Sequence, residues 1–99
     1  MNAIESIELP SILKAGEPFV LRIHYSLSHR RSASIDVGDS ADVFNISPSE
    51  LSLERAPAGA VAELSCTIER KNPAQKGTRH CYVRVCMGDS IREKHIEVE

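Results

Sequence analysis

Between Phe19 and Leu27 the odd positions read Phe19, Leu21, Ile23, Tyr25 and Leu27, while the even ones include Arg22, His24 and Ser26. Successive side chains on a β-strand point to opposite faces, whereas a helix returns to one face only about every 3.6 residues. This alternation predicts a strand with one face on a core and the other toward water. Ala15-Gly16-Glu17-Pro18 ahead of it suits a turn, and the polar run Ser28-His29-Arg30-Arg31-Ser32 behind it reads as a loop. Such a strand needs neighbours to pair with, and the rest of the sequence offers them.

A second alternating run spans Arg79 to Met87, with Cys81, Val83, Val85 and Met87 on one face and His80, Tyr82, Arg84 and Cys86 on the other. A third, Ala60 to Ile68, places Ala60, Ala62, Leu64, Cys66 and Ile68 together, although Val61, Leu64 and Ile68 also satisfy helical spacing. Its Ser-Cys-Thr-Ile stretch is poor for a helix interior and favours a strand; a helix there would make the fold α+β. Shorter strands are expected at Ile4 to Leu9, Ala33 to Val37, Val43 to Ile46, Leu51 to Leu53 and Ile91 to Val98. Pro10 should break the first and restart it around Ile12 and Leu13, as on an edge. In the last, Ile91 is odd while Ile96 and Val98 are even, which predicts a β-bulge. Ser47-Pro48-Ser49-Glu50 is read as a turn between strands. Further turns are expected around Gly38-Asp39, Pro57-Ala58-Gly59, Asn72-Pro73, Lys76-Gly77 and Gly88-Asp89.

Seven to nine short strands without a convincing helix predict an all-β sandwich or barrel, and 99 residues give room for one core, so residues 1–99 are expected to form a single domain. Twelve Lys and Arg against fourteen Asp and Glu leave a formal charge of −2, with 26% charged residues. That balance excludes a polybasic nucleic-acid arm and a disordered acidic chain. The longest apolar run is Phe19-Val20-Leu21, far below the roughly 18 to 20 residues of a membrane-spanning helix, so no membrane insertion is expected. The start MNAIESIELP carries no secretory signal pattern, and three cysteines are too few for a disulfide scaffold. A reducing, cytoplasmic setting is expected if the chain is complete; a module of a longer protein would carry no such implication.

The order of pieces resembles the immunoglobulin-like or fibronectin type III-like sandwich. The resembling pieces are a proline-broken first strand ending in Ile7-Glu8-Leu9-Pro10, then Ala15-Gly16-Glu17-Pro18 leading into Phe19 to Leu27. Ser47-Pro48-Ser49-Glu50-Leu51-Ser52-Leu53 follows before the long strand, and Ile96-Glu97-Val98 closes the chain. The chain has no Trp, carries Ile23 where an antibody domain would need a cysteine, and places Tyr82 directly after Cys81, so the likeness is to the generic sandwich. The resemblance implies an immunoglobulin-like fold of two antiparallel sheets.

Few residues are arranged for chemistry. Cys66 and Cys81 point inward by the alternation and read as small packing residues, while Cys86 points outward with Arg84 as its neighbour on that face. His80 and Cys81 are adjacent and face opposite sides of a strand, so they cannot chelate one ion together; no metal site and no cofactor is expected. The basic clusters His29-Arg30-Arg31 and Arg70-Lys71 with Lys76 and Arg79 fall at opposite ends of a sandwich, so no nucleic-acid groove is expected. The glycines are isolated and form no phosphate-cradling loop.

These readings predict a protein that is not an enzyme: a non-catalytic interaction or spacer module, binding a protein partner through an exposed sheet face or a strand edge. An accessory domain of an enzyme, or a small enzyme with an unrecognised site, is the alternative. Weak self-association through edge strands is a further expectation. In an immunoglobulin-like order the strand Arg79 to Met87 sits centrally, flanked by Ala33 to Val37 and Ile91 to Val98. Its outward residues His80, Tyr82 and Arg84, joined by Asp36 and by His95 from the flanking strands, form the candidate partner-binding surface.

Overall fold

The computed structural model describes residues 2–38 and 42–99. Nine strands are found among the described residues: β1 (Ala3–Glu8), β2 (Ile12–Leu13), β3 (Pro18–Leu27), β4 (Arg31–Gly38), β5 (Phe44–Ser47), β6 (Glu50–Leu53), β7 (Ala56–Arg70), β8 (Arg79–Met87) and β9 (Ser90–Val98). They form a four-stranded sheet, in the order β1-β3-β7-β5, and a five-stranded sheet, in the order β2-β9-β8-β4-β6. This is an all-β, immunoglobulin-like two-sheet sandwich. The pairings are antiparallel except for β2 with β9, which is parallel at Ile12↔Glu97 and Leu13↔Val98.

The alternation that specifies β3 is what seats it. Leu21 and Ile23 have no exposed surface, and on the facing sheet Ile35, Val83 and Val85 are buried as completely. Inner faces of both sheets thus meet in one contiguous cluster, with Ile68 and Cys66 of β7 and Ile96 and Val98 of β9 closing its sides. Filling each such site stabilises the fold by about 1.5 to 3 kcal/mol relative to leaving the side chain in water. Cys66 and Cys81 are buried and Cys86 is half-buried, as their positions on β7 and β8 imply. Burial pushes the Cys66 thiol up to about 11.

Several local expectations need correction. Ala60 to Ile68 is a strand, but it begins at Ala56, so Pro57-Ala58-Gly59 is not a turn between elements. The pairing of β3 with β7 slips between Tyr25↔Ala60 and Leu27↔Ala56, and Gly59 absorbs the surplus residues at a φ of 88°. Only glycine adopts that conformation without strain. Asp39 of the expected Gly38-Asp39 turn lies outside the described residues, and Gly38 is the last residue of β4.

The bulge expected in the last strand is absent, since β8 and β9 pair without a shift from Arg79↔Val98 to Met87↔Ser90. It sits in β1 instead, between Ile4 and Ser6. The parity conflict in β9 is resolved by polar side chains. Ser90, Arg92 and Lys94 share the inward parity of Ile96 and Val98, and at the margin of the sandwich their polar ends grip the backbone of the β1 segment. The Ile4 N–H donates to Ser90 Oγ at 2.9 Å, Arg92 Nε donates to the Glu5 carbonyl at 3.2 Å, and Lys94 Nζ donates to the Leu9 carbonyl at 2.5 Å. Ile91 consequently faces outward and is 48% exposed.

Candidate functional site

On the outer face of the five-stranded sheet, the registers of β4, β8 and β9 lay the candidate residues out in rows. One row is Gly38–Tyr82–His95, the next Asp36–Arg84–Glu93, and the third Ser34–Cys86–Ile91. Strand parity sends all of these side chains to one side, because each is two residues from the next along its strand.

Tyr82 is held by what lies beneath and beside it. Its ring covers Gly38, where an added Cβ would come within 2.6 Å of Oη and 2.7 Å of Cζ. The Arg84 guanidinium lies over the same ring at 4.8 Å from the centroid, and His95 meets it edge-on at 6.3 Å. A cation over a tyrosine face is worth about 0.5 to 1 kcal/mol at an exposed position. Arg84 is fixed from the other flank by Glu93, whose Oε2 accepts from both Nε and Nη2 at 3.3 Å. This hydrogen bond, then the nearby Tyr82, raises the Arg84 pKa above its ordinary value. Arginine is therefore charged throughout, and its planar fork is already oriented before any partner arrives.

The structure brings together four of the five residues singled out from the sequence, Tyr82, Arg84, Asp36 and His95. His80 stands apart. It lies one row further along β8, opposite Glu97, with Nε2 3.6 Å from that carboxylate and a side chain 85% exposed. Asp36 is opposite Arg84 in register, yet the ion pair of Arg84 goes to Glu93. Glu93, Gly38 and Ile91 were missed by the sequence reading. Ile91 and Glu93 become visible once β9 is allowed to run without a bulge, whereas the Gly38–Tyr82 contact depends on a cross-strand register that no local pattern encodes.

Other candidate chemistry is dispersed. Among the described residues no group of three or more His, Cys, Asp or Glu side chains is placed to hold a metal ion. The two basic clusters lie at opposite ends of the four-stranded sheet: Arg30 follows Leu27, which pairs with Ala56, while Arg70 lies beyond Thr67, which pairs with Pro18. Within them Arg30 pairs with Glu54 at 3.6 Å and Lys71 with Asp42 at 3.0 Å. An apolar groove of about 410 Å³ opens elsewhere, lined by Ser26, Leu27, Arg55, Ala56 and Pro57 among others. No helix among the described residues is long and apolar enough to cross a membrane.

Comparison with known proteins places the fold. No family model and no curated protein matches the chain. Solved structures do. The superoxide reductase (neelaredoxin) of Ignicoccus hospitalis is similar over 99% of this chain and 82% of its own, with a TM-score of 0.58 and 18% identity. The CupB2 chaperone of Pseudomonas aeruginosa is similar over 99% of this chain and 53% of its own, with a TM-score of 0.53 and 14% identity. A structure of the Salmonella enterica SafA pilin in complex with the SafB chaperone matches at 0.51 and 16%, covering 99% of this chain and 56% of that one. The likeness is one of fold. The chain spans a little over half the length of the latter two. The superoxide reductase overturns the expectation that the chain is not an enzyme: a protein of like fold is an enzyme, so the fold is compatible with catalysis.

Proposed function

We propose that this chain is a protein-interaction module and that its binding surface is the outer face formed by β4, β8 and β9, centred on Tyr82 and Arg84. The observation that carries the reading is the assembled stack of Arg84 on Tyr82 over Gly38, flanked by His95, Asp36 and Glu93. Tyrosine and arginine dominate binding hot spots because a rigid amphipathic ring and a planar fork of donors each lose little conformational freedom on contact. Here that freedom is already spent, since Gly38, Glu93 and the ring itself hold the pair in place. The exposed Ile91 lies one row beyond Glu93 on the same strand and extends the surface with apolar area. The chaperone and pilin–chaperone structures of like fold support a role in binding other proteins.

The test begins with partners retained by the immobilised chain and identified by mass spectrometry. Calorimetry then compares the wild type with a Tyr82→Ala, Arg84→Ala double variant for one verified partner. Both side chains point outward, so the variant should fold, while affinity should fall by about 2 kcal/mol or more. Unchanged affinity would move the binding surface away from this face.

A further inference from the structure

Strand β7 pairs with β3 along most of its length, but β5 covers its other side only from Thr67 to Arg70. Two backbone bonds establish which residues address which side. The Gly16 N–H, just ahead of β3, donates to the Ile68 carbonyl at 2.8 Å, and the Lys71 N–H donates to the Val43 carbonyl on the β5 side at 2.8 Å. In a ladder, alternate residues of a strand turn their N–H and C=O to opposite neighbours. Even-numbered residues from Ala60 to Ile68 thus serve β3, while Val61, Glu63 and Ser65 direct theirs away from it. Among the described residues no strand pairs with β7 there.

The side chains fit the same vacancy in the sheet. On the outer surface the register runs Glu8–Arg22–Glu63 across β1, β3 and β7, with Arg22 Nε 3.7 Å from Glu63. Acid, base, acid leaves a cation as the complement in the next position. On the inner surface Ala60, Ala62 and Leu64 pack on the core yet are only partly buried, and among the described residues no strand pairs along that flank. Proteins commonly guard an edge with proline, a bulge or an inward charge. Pro57 and the bulge at Gly59 guard the start of β7, but from Ala60 to Ser65 there is no proline, and Glu63 points outward.

We propose that the open edge of β7, from Val61 to Ser65, binds an extended segment of a protein partner as an added strand. That segment is apolar at alternate positions, over Ala60, Ala62 and Leu64, and carries Lys or Arg beside Glu63. A second copy of this chain is a poor occupant. Antiparallel pairing of two β7 edges about Ala62 sets Pro57 of one opposite Thr67 of the other, where Ser47 already sits. Pairing about Val61 instead sets Glu63 against Gly59, whose N–H is already donated to Glu5 Oε1 at 3.1 Å. The edge belongs to the other sheet from Tyr82 and extends the interaction reading to a separate site.

The probe is the blocked peptide acetyl-Thr-Val-Lys-Val-Thr-Val-Thr-amide, with a control in which Glu replaces its Lys. The readout is amide hydrogen exchange by NMR. In the free chain Val61, Glu63 and Ser65 should exchange fast, and saturating peptide should slow them at least ten-fold, with the control binding more weakly. Glu63→Pro should stay folded, since an outward N–H on an edge is dispensable, and should lose the protection. Ser65→Pro repeats the test without disturbing Arg22, whereas Ala62→Pro should disrupt the β3 ladder. The proposal is overturned by slow exchange of the three amides in the free chain, or by no protection from the Lys peptide. Protection that survives both outward prolines, or that rises with protein concentration alone, would overturn it as well. The Tyr82→Ala, Arg84→Ala variant should keep the protection, so failure of that face and failure of this edge are read separately.

Discussion

Replacing Gly38 by Ala probes the Tyr82 platform without touching the core. Gly38 is not among the glycines with positive φ, so alanine suits its backbone. The new methyl group would lie 2.6 Å from Tyr82 Oη and 2.7 Å from Cζ, against an ordinary carbon contact of about 3.5 Å, so the ring has to move by roughly 1 Å. What yields is the far end of a side chain on the solvent side of the sheet. Displacing it forfeits the Arg84 stack, about 0.5 to 1 kcal/mol, while exchanging glycine for alanine within a strand returns about the same amount. The net change in stability should therefore stay within about 1 kcal/mol, with the thermal midpoint little altered. The Arg84 side-chain protons, shifted upfield by the tyrosine ring, should move back toward ordinary values, and affinity for a partner of this face should fall. Destabilisation above about 2 kcal/mol, or Arg84 shifts that do not change, would refute the described packing.

Leu21→Ala removes a side chain with no exposed surface and should cost about 2 to 5 kcal/mol in urea unfolding; a loss below about 1 kcal/mol would contradict its place at the centre of the core. The Cys66 thiol ionises near 9 when exposed and near 11 when folded, so its contribution is fully present below pH 9 and is lost as pH rises through about 11. Two pH units correspond to a loss of about 3 kcal/mol. Cys66→Ala should flatten the fall in stability over that window, and an unchanged alkaline profile would assign the fall to other groups.

The long strands were legible because period-2 patterning is a local property of the chain: β3 and β8 lie where Phe19 to Leu27 and Arg79 to Met87 alternate. The same pattern placed Tyr82 and Arg84 outward and Cys66 and Cys81 inward. What escaped depends on neighbours distant in sequence. Ile91 looked like a core residue out of phase because nothing local reveals that Ser90, Arg92 and Lys94 bind the backbone of the β1 segment. Pro57-Ala58-Gly59 carries turn chemistry, yet β3 pairs on both sides of it and turns it into a bulge. Asp36 was expected only to join the face from a neighbouring strand; it lies opposite Arg84 in register, yet the guanidinium pairs with Glu93 of β9, a choice that no local pattern reveals. Activity is a matter of sites rather than folds, and small size with an all-β pattern did not justify excluding an enzyme.

Cross-saturation NMR on the complex with a verified partner reads whether proteins are bound on the outer face of β4, β8 and β9. Saturation should enter at Tyr82, Arg84, Asp36, Ile91 and His95, and leave the outer face of the four-stranded sheet untouched. A footprint that omits Tyr82 and Arg84 would contradict binding at this face.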